Sequence, residues 1–166
     1  MPEPSALPLA DAVRKTLQTE KNAMDFYRTC ARHMREANAI KLFQLLAREE
    51  REHASSFFHA YPHHDIPDFN AWVDREPQQP EGWLAEIGRN LATLDERRAM
   101  QVALEKERLL EEHLRAMAAG IDDAAVRAVY EENARSTHHH YELIEAEYAR
   151  LMGMVHDSDM DIYVRE

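Results

Sequence analysis

Four segments of this 166-residue chain repeat apolar residues at alternating spacings of three and four. Residues at these spacings share one face of an α-helix, so the pattern predicts four amphipathic helices, each with an apolar seam. Glu20, Glu50 and Glu107 lie within the first three seams, and His140 lies within the fourth. His53 follows Glu50 at the i, i+3 spacing and shares its face. Since a buried carboxylate is costly unless it is paired, hydrogen-bonded or bound to a cation, the seams predict an all-α protein with an internal metal site.

The lengths of the segments predict how the helices are connected. Helices are expected at about residues 8–36, 38–60, 94–119 and 122–152. A 24-residue helix is about 36 Å long, and a return path along it needs at least about 11 extended residues. The connector, residues 61–93, exceeds this length, so helices 2 and 3 can run parallel. The prediction is a single domain, residues 1–166, built as a four-helix bundle with one long crossover.

Short elements and helix ends complete this prediction. The connector contains four prolines, and we expect one short helical turn near Trp72 and another over residues 81–91. Residues 153–166 alternate between polar and apolar, which predicts an extended tail that packs on the body or on a neighbouring subunit. Preferred N-cap residue types precede three of the helices. The expected caps are Asn38, Thr93 within a T-x-x-E capping box, and Asp122.

The two halves of the chain repeat each other at an offset of 87 residues. The matching pairs are Glu20 with Glu107, Phe43 with Tyr130, Ala47 with Ala134, Arg48 with Arg135, and His53 with His140. Glu50, however, coincides with Thr137. The second half therefore contains the glutamate and the histidine of the first half but lacks the carboxylate three residues before the histidine.

This arrangement is similar to the di-iron carboxylate pattern of ferritin-like bundles, which combine single glutamates with Glu-x-x-His motifs on four helices. The local sequence, Glu20-Lys21 followed by Phe26-Tyr27 and then by Glu49-Glu50-Arg51-Glu52-His53, most resembles the rubrerythrins. The resemblance covers about residues 8–152 and implies a ferritin-like fold. It implies the following ligands: Glu20 and Glu107 as terminal carboxylates, Glu50 as a bridging carboxylate, and His53 and His140 as one nitrogen ligand for each metal.

The resemblance also implies an activity. With two iron ions bound, a rubrerythrin-like protein oxidises Fe(II) with peroxide or dioxygen and acts in oxidative stress. Tyr27 lies one heptad beyond Glu20, where ferritin-like proteins place a tyrosine beside the centre, so its expected role is to orient the oxidant or a ligand carboxylate. No rubredoxin-like cysteine domain follows the bundle, so an external electron-transfer protein is the expected reductant. A homodimer is the expected assembly.

Two departures from the family pattern leave alternatives open. Thr137 replaces the second bridging glutamate, so three carboxylates would balance two divalent ions, and the site holds either two ions or one. Leu110 occupies the position of an additional rubrerythrin glutamate, with Glu111 as a candidate substitute. Zinc and manganese also suit carboxylate and imidazole ligands. The alternative function is a non-catalytic bundle that holds one structural ion or serves as an interaction module.

Charge and composition exclude several classes of partner. The formal net charge of −11 argues against nucleic acid and against an anionic membrane. A single cysteine, Cys30, excludes a disulfide within the chain. The sequence shows neither a signal peptide nor an apolar run near 18 residues in length, so we expect a cytoplasmic protein.

Overall fold

The computed structural model describes residues 8–77 and 94–155, with side chains as far as Gly153. Within these ranges the chain is helical and contains no strand, which confirms the all-α prediction. The helices are α1 (Leu9–His33), α2 (Ala37–Ala60), α3 (Phe69–Val73), α4 (Glu96–Gly120) and α5 (Ala124–Val155). Helix α3 contains Trp72, as expected. The predicted helix over residues 81–91 lies outside the described residues.

The predicted tail and the first helix end differently from expectation. Helix α5 continues to Val155, so the first residues of the predicted tail, 153–155, are helical, and the remainder lies outside the described part of the chain. Helix α1 ends at His33 rather than near residue 36. The backbone N–H groups of Arg35 and Glu36 donate to Glu96 Oε1 on α4 instead of continuing the helical ladder.

Three acidic side chains cap the N termini of the later long helices. Glu36 caps α2 by accepting a hydrogen bond from the backbone of Ala39, so the prediction of Asn38 is wrong. Asp95 caps α4 through the N–H groups at the start of that helix, in place of Thr93, which lies outside the described residues. A carboxylate at this position also interacts favourably with the helix dipole.

Helix α5 begins at Ala124, one residue later than a cap at Asp122 would place it. Asp123 Oδ1 accepts hydrogen bonds of 3.0 Å from the backbone N–H groups of both Ala125 and Val126. The prediction of Asp122 as the cap is therefore wrong by one position. Adjacent aspartates offer the same chemistry, and only the backbone direction selects between them.

Contacts between the long helices give their relative directions. Helix α5 runs antiparallel to both α2 and α4, so α2 and α4 run parallel to each other. The pairs that establish these directions are Phe57 with Tyr130 and Glu50 with His140 for α2 and α5, and Glu111 with His138 and Gln101 with Tyr148 for α4 and α5. The C-terminal end of α2 and the N-terminal end of α4 therefore lie at opposite ends of these helices.

Aromatic side chains bracket the middle of the bundle. Towards one end, the Tyr27 ring packs edge-on against Phe26 and Phe43, with centroid distances of 5.4 Å and 5.0 Å. Towards the other end, the rings of Phe57 and Tyr130 are 4.7 Å apart. All five side chains are almost fully buried. They exclude water along the bundle axis from the polar residues that lie between them.

The first part of the connector is attached to the α1–α2 hairpin. Lys21 Nζ forms a buried ion pair with Asp25 at 2.7 Å and donates a second hydrogen bond, also 2.7 Å, to the carbonyl oxygen of Arg75. His63 Nε2 donates to the carbonyl oxygen of Ala10 at 2.8 Å. Among the described helices, none has the length and apolar character needed to cross a membrane.

Candidate metal centre

The polar residues of the four seams meet in the middle of the bundle. The structure brings together all five predicted ligands, and each is at least nine-tenths buried: Glu20, Glu50, His53, Glu107 and His140. Among the described residues they form two overlapping groups, in each of which the candidate ligand atoms lie within 4.8 Å of one another. Glu50 belongs to both groups. This geometry fits one carboxylate between two cation positions.

The first position is formed by one side chain from α1 and two from α2. His53 Nδ1 lies 3.5 Å from Glu20 Oε2 and 3.4 Å from Glu50 Oε2. The i, i+3 spacing on α2 places the imidazole and the carboxylate of that helix on one face. We call this the His53 position.

The second position combines side chains from α2, α4 and α5. His140 Nδ1 lies 3.1 Å from Glu50 Oε1 and 3.8 Å from Glu107 Oε2. The two carboxylate oxygens of Glu50 are thus directed towards different histidines. The imidazole rings of His53 and His140 lie nearly parallel, with centroids 5.2 Å apart. We call this second group the His140 position.

Several buried atoms of this cluster have no hydrogen-bond partner. They are both carboxylate oxygens of Glu20, Oε2 of Glu50, Oε2 of Glu107 and Nδ1 of His53. Buried polar atoms in proteins are nearly always hydrogen-bonded, and an ion is one of the standard explanations for an exception. Because these atoms are good cation ligands and face one another, the residues fit a metal centre.

Outer hydrogen bonds orient three of the ligands. Tyr27 Oη donates to Glu107 Oε1 at 2.5 Å. His140 Nε2 lies 2.7 Å from Glu49 Oε1, and His53 Nε2 lies 2.8 Å from Ser136 Oγ. In both histidines the outer nitrogen is engaged, which leaves Nδ1 directed at the carboxylates. Such outer partners fix the ring orientation of metal-ligating histidines.

Burial and mutual repulsion shift the pKa values of the cluster. Desolvation, followed by the charge of Glu50, raises the pKa of Glu107 to about 8 and that of Glu20 well above its usual range. Burial alone would raise the pKa of Glu50 too, but the adjacent Glu20 carboxyl and the charge of His53 hold it well below its usual value. Glu50 is therefore the most acidic member of the cluster.

The two histidines show the complementary shift. Burial alone would lower the pKa of His53, but the charge of Glu50 raises it well above its usual value. The pKa of His140 is also raised: burial opposes the shift, and the hydrogen bond and charge of Glu50 cause it. Without a metal, protons shared among these side chains compensate part of the carboxylate charge, and a cation would replace them.

Thr137 lies on the same face of α5 as His140, one turn before it, and is fully buried. Its Oγ1 has no hydrogen-bond partner. It belongs to neither group of candidate ligands. The second half therefore contributes one carboxylate to the cluster, where the first half contributes two.

Other polar residues near the site have roles that spacing did not reveal. Glu111, the candidate substitute ligand, lies outside the cluster and bonds instead to His138 and Arg115 near the surface. Asn133 donates to Ser56 Oγ on α2. The spacing of the apolar seams gives no role to Glu49 or Ser136. The available signal was the repeat itself, because these outer partners of the two histidines coincide at the offset of 87 residues.

Two cavities reach the cluster from different sides. One, about 310 Å³, lies between α1 and α4 and is lined by Tyr27 and Glu107, with Leu109 and His113 among its outer residues. The other, about 370 Å³, lies between α2 and α5. Its lining includes His53 and the outer partners of both histidines, Glu49 and Ser136. Each cavity thus lies beside one of the buried candidate ligands, Glu107 in the first and His53 in the second.

Comparisons with known proteins provide no relative for this chain: no family model, no curated protein and no solved structure matches it significantly.

Proposed function

We propose that this chain is a rubrerythrin-like protein with a ferritin-like fold, which binds iron in its buried cluster and supports oxidation of Fe(II) by peroxide or dioxygen. The observation that carries the proposal is the pair of overlapping ligand groups that share Glu50. A structural ion pair would neutralise one carboxylate with one base. Here three carboxylates and two imidazoles converge, with unpartnered atoms directed inwards.

The ligands divide between the two positions. Glu20 and His53 would hold one ion, Glu107 and His140 would hold the other, and Glu50 would contact both. Carboxylate and imidazole donors are the set used by non-haem iron and are also compatible with manganese and zinc. Three carboxylates leave one positive charge uncompensated on two divalent ions, so the proposal requires the enclosed site to tolerate that charge.

The chain's own residues determine what reaches the site and where protons are held. When bound, a pair of ferrous ions supplies two electrons, which with two protons convert one hydrogen peroxide molecule into two water molecules. Burial and the charge of Glu107 raise the pKa of Tyr27 well above its usual value, so its hydroxyl keeps its proton and donates a hydrogen bond to Glu107 Oε1. The cavity between α1 and α4 gives a small oxidant access to these two side chains.

Turnover in this proposal needs a partner. Among the described residues, the single cysteine is the buried Cys30, which cannot build an iron–sulfur site by itself. We therefore propose that electrons arrive from a separate electron-transfer protein, and that the chain acts as a homodimer in the cytoplasm.

The test is anaerobic loading of the metal-free chain with Fe(II), desalting, measurement of iron per chain, and addition of one equivalent of hydrogen peroxide. We expect two iron ions per chain and rapid appearance of ferric absorbance. Glu50→Gln should remove both. Glu111→Gln is the matched control, because it changes a carboxylate on α4 that lies outside the cluster and should leave loading unchanged.

The outcomes separate this function from its main alternative. One retained ion that peroxide does not oxidise would favour a structural ion in a non-catalytic bundle, an alternative that the lack of a carboxylate at Thr137 also supports. If the chain retains no iron, zinc or manganese, the metal-binding proposal is overturned. The remaining alternative is then an interaction module that acts through the surface of the bundle.

A further inference from the structure

The two metal positions have unequal surroundings. At the 87-residue offset, the outer partner of His140 is a carboxylate, Glu49, whereas the outer partner of His53 is a hydroxyl, Ser136. The contacts cross between the halves, because Glu49 belongs to α2 and supports a histidine of α5. This difference gives the two histidines different properties as ligands.

A carboxylate partner makes His140 the better prepared ligand. Glu49 can only accept from Nε2, so in the neutral imidazole that binds metal it fixes the proton on that nitrogen and leaves the lone pair of Nδ1 directed into the cluster. It also increases the electron density on the ring and contributes a further negative charge close to the metal. Ser136 can donate or accept, so it does not select the tautomer of His53 in the same way.

The terminal carboxylates differ in the same direction. Glu107 is oriented by the hydrogen bond from Tyr27, which occupies Oε1 and leaves Oε2 directed at His140. Neither oxygen of Glu20 has a hydrogen-bond partner. The residue that coincides with Tyr27 in the second half is Leu114, which is buried and has no donor. An oriented ligand loses less conformational freedom when an ion binds.

We propose that the His140 position binds its metal ion first and more tightly than the His53 position, with Glu49 as the positioning residue that causes the difference. This inference rests on the proposed metal-binding function. It identifies the ion that remains when metal is scarce as the one held by Glu50, Glu107 and His140. The position nearer Glu20 then exchanges its ion more readily.

The experiment is anaerobic titration of the metal-free chain with Mn²⁺, followed by calorimetry and by the electron paramagnetic resonance signal of free Mn²⁺. Both readouts report binding without any turnover. Two steps in the titration do not by themselves identify the first position, because the positions share Glu50. Matched substitutions of the outer partners do: Glu49→Ala should weaken the first step about 10–100-fold, and Ser136→Ala should weaken the second step alone.

Two further variants distinguish positioning from a general loss of structure. Glu49→Gln keeps the shape and one acceptor oxygen, so it should restore part of the first-step affinity that Glu49→Ala loses. Ser136→Glu gives His53 a carboxylate partner and should bring the two steps closer together. Circular dichroism of the metal-free variants checks that each is folded. If Glu49→Ala is not folded, the binding affinities of Glu49→Gln and Ser136→Ala are compared instead.

Each result decides one of the two proposals. Two binding steps of equal affinity would overturn the ranking of positions while leaving metal binding intact. A first step weakened by Ser136→Ala and not by the Glu49 variants would do the same. A single bound ion lost in Glu107→Gln but retained in Glu20→Gln would support the ranking, and the reverse pattern would overturn it. Absence of binding for Mn²⁺, Fe²⁺ and Zn²⁺ alike would overturn both proposals.

Discussion

The α1–α2 hairpin and the α4–α5 hairpin repeat each other in sequence, yet they contribute unequally to the centre. The first contributes Glu20, Glu50 and His53, and the second contributes Glu107 and His140. The outer contacts partly reverse this inequality, because Tyr27 and Glu49 of the first hairpin orient ligands of the second. The comparison shows that the hairpin that contributes fewer candidate ligands can still have them the better oriented.

Glu50 belongs to both positions, so its removal should weaken metal binding at each of them. Glu50→Gln keeps the shape of the side chain but removes the charge directed at the two histidines. We expect a loss of metal affinity greater than the roughly 10–100-fold that outer partners contribute. Calorimetric titration with Mn²⁺ measures it. Retention of one tightly bound ion would show that Glu50 does not belong to both positions.

Restoration of the missing carboxylate should make the hairpins more alike. Thr137→Glu supplies the residue that coincides with Glu50 and gives four carboxylates for two divalent ions. We expect the affinity for the second ion to rise by about tenfold, the effect of about 1.4 kcal/mol. The metal-free variant should be less stable than the parent chain, because the new buried charge lacks a partner.

Thermal unfolding with and without Mn²⁺ measures both effects of this substitution. Thr137→Val is the control, because it removes the unpartnered hydroxyl without adding charge. If Thr137→Glu changes neither metal stoichiometry nor the stabilisation by metal, then the position is not part of the centre.

The pH dependence of stability tests the buried cluster as a whole. In the folded metal-free chain the pKa of Glu107 is about 8, above its ordinary value of 4.5. Between those values the folded chain binds a proton that the unfolded chain releases, so stability should fall as pH rises from about 5 to about 8. The raised pKa values of His53 and His140 act in the same direction, because their protonated forms are favoured in the folded chain.

Metal binding should show the opposite dependence on pH, because the ion displaces these protons. The increase in melting temperature caused by Mn²⁺ should therefore grow between about pH 6 and about pH 8. Glu107→Gln should flatten the fall in stability of the metal-free chain over that range. A parent chain whose metal-free stability rises with pH would contradict the proton linkage.

The smallest expected effect concerns the apolar seams. Asn133 coincides with Leu46 and joins α5 to α2 through Ser56 Oγ at 3.1 Å, while also donating to the Val129 carbonyl oxygen at 2.7 Å. Asn133→Leu should change the free energy of unfolding by about 1 kcal/mol, measured by denaturant titration. Metal affinity should stay the same, and a clear change would assign Asn133 to the centre.

Sequence spacing was sufficient to predict which polar side chains face the interior, but not which outer residues they contact. A glutamate in an otherwise apolar seam points into the interior with the rest of that seam. The burial of Glu20 and Glu107 was therefore predictable from the period of the helix alone. The partner of Tyr27 was not, since the hydroxyl bonds a carboxylate of the opposite hairpin rather than Glu20, its neighbour on α1. That choice depends on how the hairpins pack.

Helix caps show the same limit at short range. The sequence contains several suitable residues close together, and the backbone selected Glu36 over Asn38 and Asp123 over Asp122. The type of side chain limits the N-cap to two or three candidate residues. The direction in which the chain enters the helix decides among them.

The attachment of the connector to the first hairpin has a consequence for cooperativity. Lys21 and His63 tie residues 61–77 to α1 by hydrogen bonds to and from the backbone, and Asp74 adds ion pairs with Arg28 and Arg51. The hydrogen-bonded amides of this stretch, such as those of Ile66 and Trp72, should exchange with solvent more slowly than the amides of a free loop. The unit of cooperative opening is therefore longer than the helical hairpin itself.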